Sequence, residues 1–206
     1  MKIENGKWNG YNVKKWYPDA FASGYCGGEG DGTNLTWTLD KDGVLTISGT
    51  GAMYDYSENG TQFNNSDIKS VVIEDGVTSI GNSAFYECTS LSSIILPETL
   101  TTLSNEWVFG SCKNLKEVYF YATTLPYIAY GVFRNLNPII YVPAESLAAY
   151  KSALYWQDFD VRPMDVTTSI EDIHTSHSSG TKLLRDGKIL IIHEGKTYNI
   201  MGSLIK

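Results

Sequence analysis

The 206-residue chain is poor in charged residues and in cysteine, and it lacks any long apolar run. Charged residues make up only 19% of it, whereas aromatic residues reach 13% and there are 19 glycines. A disordered chain shows the opposite balance, so this composition indicates an ordered, turn-rich β protein. The cysteines are three in number, so they give no complete disulfide framework.

The absence of an apolar run and of a basic cluster argues against two kinds of partner. No segment approaches the roughly 18 apolar residues that are needed to cross a bilayer. Residues 1–8 also lack the apolar region of a signal peptide. The net charge is −7, and no local group of Lys and Arg offsets it. We therefore expect no transmembrane segment, no signal peptide in this stretch and no nucleic-acid partner.

Motifs of catalytic and metal sites are missing as well. There is no Gly-x-Ser-x-Gly, His-Glu-x-x-His or phosphate-loop pattern, and no suggestive pair of carboxylates. His174 and His177 lie in a Ser/Thr-rich segment without the further ligands that a closed zinc site needs. The acidic stretches at residues 29–33 and 40–43 lack the full ligand set of a calcium loop and are interpreted as turns. We expect no enzymatic activity, no cofactor and no metal.

What the sequence does contain is a repeat over residues 67–115. The residues that recur 23 positions later are Val71, Ile73, Val77 and Ile80, which return as Ile94, Leu96, Leu100 and Leu103. One inserted residue near Trp107 makes the offset 24 for Phe85, Cys88 and Leu91, which return as Phe109, Cys112 and Leu115. A period in the low twenties is typical of a solenoid, whose units bury their apolar faces only by stacking.

Each unit combines two kinds of apolar spacing. Val71 and Ile73 alternate with period two and predict a short strand that adds one rung to a parallel sheet. Residues 84–91 have apolar positions at helical spacing and predict a short helix or turn on the opposite face. A third unit starts at Val118 and includes Leu125, and a fourth, degenerate unit starts at Ile140 and ends in a helical pattern over residues 145–156. The predicted fold class is an α/β repeat.

The repeat unit, Ile-x-x-Val-x-Ile-x-x-x-Val-Thr-x-Ile-Gly-x-x-Ala-Phe-x-x-Cys-x-x-Leu, resembles the BspA-like leucine-rich repeat of surface and secreted proteins from gut and oral anaerobic bacteria. The segments at residues 34–53 and 141–156 are similar to sequences that flank and close the repeats in that family. Residues 181–206 resemble a short C-terminal module of exported Bacteroidetes proteins that is associated with sorting to the outer surface. These resemblances imply a leucine-rich-repeat solenoid, export to the cell surface or the medium, and activities that consist mostly of binding.

Four segments follow from these patterns. Residues 1–66 comprise an aromatic segment, a flexible Gly-rich loop at residues 24–32 and a β-hairpin cap, whose second strand could serve as an extra rung. Residues 67–163 are the repeats. Residues 164–180 form a linker rich in Ser, Thr and His, and residues 181–206 form a small meander of three strands. We interpret residues 1–24 as an extended segment or short helix that covers the N-terminal end of the solenoid.

The repeat also places particular residues beside each other on successive rungs. Phe85 should stack on Phe109 in the core. Cys88 and Cys112 should lie about one strand spacing apart, within disulfide range, although buried free thiols are favoured because their Cβ vectors run parallel. Cys26, in the Gly-rich loop, has no obvious partner.

The side chains that point out of the rungs suggest a ligand-binding surface, formed by Val72, Ile95, Tyr119 and Tyr141 with Tyr121 beside them. The alternatives are that strand propensity alone explains these residues, or that residues 1–24 or the C-terminal tail cover them. The hypothesis is a non-enzymatic, exported binding or adhesion module whose partner is a host or microbial surface protein or glycan. A structural spacer in a surface assembly and a carbohydrate-active or proteolytic hydrolase remain alternatives.

Overall fold

Strands dominate the protein, as the alternation of apolar and polar residues predicts. The structure, a computed structural model, describes side chains at residues 22–57, 63, 66–103, 107–129 and 131–164, and the backbone of further strands at residues 7–8, 11–12, 20–21, 180–185, 188–193 and 196–199. The chain divides into two compact units, Met1–Pro163 and Met164–Lys206.

The strands in chain order are β1 (Lys7–Trp8), β2 (Tyr11–Asn12), β3 (Ala20–Tyr25), β4 (Leu35–Asp40), β5 (Val44–Gly49), β6 (Gly51–Ala52), β7 (Ser70–Ile73), β8 (Val77–Ile80), β9 (Ser93–Leu96), β10 (Thr102–Leu103), β11 (Glu117–Phe120), β12 (Tyr127–Ile128), β13 (Ile139–Val142), β14 (Asp160–Pro163), β15 (Gly180–Arg185), β16 (Lys188–His193) and β17 (Lys196–Asn199). Helix within the described residues is confined to a 3-10 turn at Ala144–Ser146 and to α1, Leu147–Ser152. No helix there is long and apolar enough to cross a membrane.

The main sheet of the first unit has eight strands in the order β14-β13-β11-β9-β7-β5-β4-β3. From β5 to β14 all neighbours run parallel, and Leu45, Val71, Ile94, Val118 and Ile140 lie in register on the buried side. The predicted hairpin is β4 and β5, with Gly43 at a φ of +86° in its turn. Because β5 pairs in parallel with β7, the hairpin supplies the extra rung that the sequence suggested.

A second parallel sheet, in the order β12-β10-β8-β6, was not predicted. Its strands come from the second half of each unit, where Ile80, Leu103 and Ile128 lie in register and are buried. Three of these strands, β6, β10 and β12, are only two residues long, which is too short to show the alternation that identifies a strand in sequence.

The segments with helical spacing fold as turns. The sequence predicted a short helix or a turn there, and the turn is confirmed. In residues 81–91 the amides of Tyr86, Cys88 and Leu91 donate to the carbonyls three residues before them. Ser83 and Glu87 have φ values of 52° and 60°, which interrupt a right-handed helix. The equivalent residues of later turns also have positive φ, so this interruption is a property of the repeat.

The centre of the core is a column of stacked phenylalanine rings. The ring centroids of Phe85 and Phe109 lie 5.7 Å apart with the planes 5° from parallel, so the predicted stacking is confirmed. The column continues to Phe63 at 5.5 Å and to Phe133 at 5.2 Å. Phe63 was not predicted as a core residue, because the polar stretch around it, residues 57–66, hides its repeat position.

The three cysteines are buried and free, which confirms the interpretation of Cys88 and Cys112 as core thiols. Cys88 Sγ donates to the carbonyl of Phe63, and Cys112 Sγ donates to the carbonyl of Phe85 at 3.0 Å. Each thiol thus forms a hydrogen bond with the backbone carbonyl of the phenylalanine in the preceding turn. Burial raises the pKa of Cys112 to about 12 and raises that of Cys26 further.

The C-terminal end of the first unit is closed by aromatic side chains from α1 and the turn after it. Tyr150 donates its hydroxyl to the carbonyl of Ala122 at 3.0 Å, and Trp156 packs edge-on against Phe120 with centroids 4.9 Å apart. The helical pattern predicted for residues 145–156 is realised only as far as Ser152. In the preceding turn Leu125 is 40% exposed, so its place in the repeat pattern does not put it in the core.

The Gly-rich loop, predicted over residues 24–32, begins within a strand and is held by hydrogen bonds to β6. Tyr25 still belongs to β3, Gly27 forms a bridge with Met53, and Gly28 N donates to the carbonyl of Ala52. Glu29 Oε1 accepts from Ala52 N at 2.9 Å. These bonds attach the loop to β6, and composition could not reveal them because they join distant parts of the chain.

Other predicted segments are described only in part. Strand β3 pairs antiparallel with β4 at the edge of the main sheet, so the extended form is confirmed for Ala20–Tyr25. In the second unit, β15, β16 and β17 form an antiparallel meander, as predicted. His174, His177 and most of the predicted linker lie outside the described residues.

Candidate binding face

The five residues proposed as a ligand-binding surface lie together on the outward side of the main sheet. Val72 pairs with Ile95, Ile95 with Tyr119, and Tyr119 with Tyr141 across neighbouring strands. We call these four residues the outward column. All four are half-buried, as is Tyr121, which follows β11 on the same side. Parallel in-register pairing therefore brings the residues of four separate turns into one row.

The two tyrosines of the outward column stack on each other. Their ring centroids are 4.8 Å apart and their planes are 11° from parallel. This spacing matches the distance between neighbouring strands, so the stack follows directly from the register of β11 and β13. The two facing ring surfaces are occupied by each other, and the hydroxyl-bearing ends point away from the backbone.

A carboxylate orients the hydroxyl of Tyr119. That hydroxyl donates to Oε2 of Glu117, two residues earlier on the same side of β11, at 3.0 Å. Burial, and then the nearby negative charge of Glu117, raise the pKa of Tyr119 well above its usual value. Burial raises the pKa of Tyr121 to about 12. Both phenols therefore remain protonated at neutral pH and keep a hydroxyl for hydrogen bonding.

An ion pair ends the outward column at the sheet edge. Arg162 on β14 pairs with Tyr141, and its Nη2 lies 2.6 Å from Oδ2 of Asp160. The hydrogen bond from Arg162 holds the pKa of the Asp160 carboxyl below its usual range. This pair was not predicted because β14 lies beyond the clear repeats, although the buried Val161 between two polar residues shows the alternation of a strand.

A second surface cluster lies on the turns that follow β8, β10 and β12. Arg134 Cζ sits 5.0 Å from the ring centroid of Trp107, and the Tyr86 ring meets Trp107 edge-on at 6.3 Å. Gly110 is beside them, where a Cβ atom would lie 2.7 Å from Tyr86 Cδ2. The sequence analysis did not single out these residues, since they belong to different turns and no local motif links them.

The acidic stretches act as turns, as interpreted from the sequence. Asp31 Oδ1 accepts from both the amide and the hydroxyl of Thr33, and Asp40 Oδ1 accepts from the amides of Asp42 and Val44. Within the part of the chain whose side chains are described, no group of three or more His, Cys, Asp or Glu side chains is placed to hold a metal ion.

Comparisons with known proteins agree with this architecture. The sequence profile of the BspA type leucine rich repeat region matches six copies between residues 59 and 183, which is more than half of the chain. No curated protein matches the chain at a significant level.

A leucine-rich repeat protein from Eubacterium ventriosum, solved at 2.50 Å resolution, is 21% identical, with a TM-score of 0.42. The alignment covers 87% of this chain and 49% of that protein, so the chain spans about half of the solved protein's length. With its repeats matched by the profile and its rungs stacked in register, the chain belongs to the BspA type leucine-rich repeat family.

Proposed function

We propose that this protein is a non-enzymatic binding module that holds a protein or glycan partner on the outward side of its main sheet, at the surface of a bacterium or outside it. The observation that carries the proposal is the stacked pair Tyr119 and Tyr141, in register with Ile95 and Val72. Repeat proteins of this family and fold are typically non-catalytic, and BspA-type proteins are often exposed at the cell surface, which supports the class and the location.

The outward column suits recognition for physical reasons. Four rungs at strand spacing make a row about 15 Å long, enough for several residues of a bound chain. Tyrosine offers a large contact area with few rotatable bonds and a hydroxyl that selects polar partners. Since stacking already restricts Tyr119 and Tyr141, little side-chain entropy is lost when a partner binds.

The test compares two sets of tyrosines. One variant carries Tyr119→Ser, Tyr121→Ser and Tyr141→Ser, and the control carries Tyr54→Ser and Tyr127→Ser, which are 56% and 59% exposed and do not belong to the outward column. Both variants and the wild type are applied to an array of purified host matrix proteins, bacterial surface proteins and glycans. We expect the wild type and the control to bind the same array members and the triple variant to lose them while it still melts cooperatively.

Four results would contradict the proposal. Equal binding by the triple variant would place the binding surface elsewhere, and a large fall in its melting temperature would make the outward column structural. If no protein binds any array member, a spacer role is favoured. Turnover of a glycan or peptide substrate by the wild type would contradict the non-enzymatic assignment.

A further inference from the structure

The outward side of the parallel rungs has an excess of negative charge. We consider β7, β9, β11, β13 and β14, all fully described, together with the residue that follows each of the first four. Their outward positions include three carboxylates, Glu74, Glu117 and Asp160, and a single basic residue, Arg162. Asp160 already engages Arg162 at 2.6 Å. The one outward basic residue of these strands is therefore paired with Asp160 and not with Glu117.

Glu117 is the carboxylate that lies within reach of the outward column. Its neighbours in register are Ser93 on β9 and Ile139 on β13, neither of which is charged. Its carboxylate accepts a hydrogen bond from the hydroxyl of Tyr119, and no Lys or Arg in the described part of the chain pairs with it. A carboxylate has about four acceptor positions, so one hydrogen bond from a phenol leaves most of them available.

The tyrosine stack determines which chemistry can lie next to Glu117. A sugar ring packs best against an open aromatic face, but the faces that Tyr119 and Tyr141 share are turned toward each other, 4.8 Å apart. The half-buried aliphatic side chains of Ile95 and Ile139 lie on the neighbouring strands, on the same outward side as Glu117 and Tyr119. This surface suits a long aliphatic stem that ends in a hydrogen-bond donor better than it suits a flat sugar.

We infer that the partner presents an extended polypeptide segment with a Lys or Arg side chain, whose charged end binds Glu117 and whose stem lies over Ile139 and the edge of the Tyr119 ring. The inference rests on the proposed function, since it assigns the ligand class of the same surface. The net charge of −7 would also draw a basic segment toward the protein.

The experiment selects binders from a phage library of random dodecapeptides on the immobilised full-length chain. We expect the enriched peptides to contain more Lys and Arg than Asp and Glu, relative to the unselected library. A synthetic copy of the best peptide should bind about five- to tenfold more weakly to Glu117→Gln, as for the loss of a partly buried charge pair. Binding to the control Asp42→Asn, an exposed carboxylate on the β4–β5 turn, should not change. Selection on Glu117→Lys should enrich acidic peptides instead.

The outcomes separate the inference from the function on which it rests. Suppose that neutral or acidic peptides bind the wild type but not the Tyr119→Ser, Tyr121→Ser, Tyr141→Ser variant. The inference of a basic ligand would then be wrong, whereas the proposed binding surface would be supported. Binding of a glycan, when no peptide is selected, would likewise contradict the basic peptide ligand but not the proposed binding function. Peptides that bind the triple variant as well as the wild type would overturn both. A basic peptide with equal affinity for Glu117→Gln would exclude Glu117 as the contact.

Discussion

The rings of Phe85 and Phe109 stack with centroids 5.7 Å apart and planes 5° from parallel, on adjacent turns of the solenoid. The same column includes Phe63 and Phe133, and the edges of Trp37 and Phe159 meet its two ends at 5.7 and 5.4 Å. Each ring thus covers the next, and the terminal rings are covered by aromatic side chains from the cap and the closing segment. The column explains why the units are stable only when stacked.

Removing one ring from the middle of this column should be costly. Phe109→Ala deletes a fully buried side chain between two stacked neighbours, so the free energy of unfolding should fall by about 3–5 kcal/mol, and Phe85→Ala should behave alike. Urea unfolding measures the change. As a control, Tyr127→Ala at an exposed position should alter it by less than about 0.5 kcal/mol. Wild-type stability of the Phe variants would show that the rings do not form the core.

Gly110 should not tolerate a side chain while Tyr86 is present. A Cβ atom at Gly110 would lie 2.7 Å from Tyr86 Cδ2 and 2.9 Å from Trp107 Cε3, so Gly110→Ala should lower the free energy of unfolding by about 1–3 kcal/mol. Combining it with Tyr86→Ala removes the closest contact. The double variant should therefore be less destabilised than the sum of the two single variants, as a double-mutant cycle would measure. If the destabilisations of the two single variants simply add in the double variant, the predicted contact between the new Cβ atom and Tyr86 is contradicted.

Stability should decrease at alkaline pH, in part through Cys112. Burial raises the pKa of this thiol from 9.0 to about 12 in the folded state. The unfolded chain releases the proton above about pH 9 while the folded protein keeps it. The contribution of the Cys112 thiol to the free energy of unfolding is therefore complete below about pH 9. It is lost as the pH rises toward 12, by at most about 1.4 kcal/mol per pH unit.

The measurement compares urea unfolding of the wild type and Cys112→Ala across this pH range. The free energy of unfolding of Cys112→Ala should fall less steeply with rising pH than that of the wild type. The tyrosine phenols with raised pKa values shift the curve in the same direction in both proteins, so the difference between them isolates the thiol. Parallel curves would contradict the prediction, as would rapid alkylation of all three cysteines in the native protein at about pH 8.

The repeats should fold without the second unit. Deleting residues 164–206 leaves the compact unit Met1–Pro163, which includes the closing residues Tyr150 and Trp156. We expect a cooperative thermal transition, monitored by circular dichroism. Deleting residues 144–206 is the matched comparison: it also removes α1 and exposes Phe120, so cooperativity should be lost. A shorter fragment that melts like the longer one would show that this closing segment is dispensable.

Several features were predictable because the repeat constrains them locally. Period-two alternation at Val71 and Ile73 identified the rungs, and the repeat offsets of 24 and 22 residues placed Phe85 over Phe109 and Tyr119 beside Tyr141. The second sheet was missed because Val77 and Ile80 are three positions apart and do not show alternation. The bonds of the Gly-rich loop to β6 were also missed, since they join residues more than 20 positions apart.

By itself, the sequence determined the period, the buried side of each rung and the set of outward residues, because apolar side chains repeated at nearly constant intervals can be buried only by stacking in register. The tertiary structure alone decided that turns replace helices and that Phe63 enters the aromatic column. These features depend on positive backbone φ values and on distances between separate turns, and both are set when the turns stack.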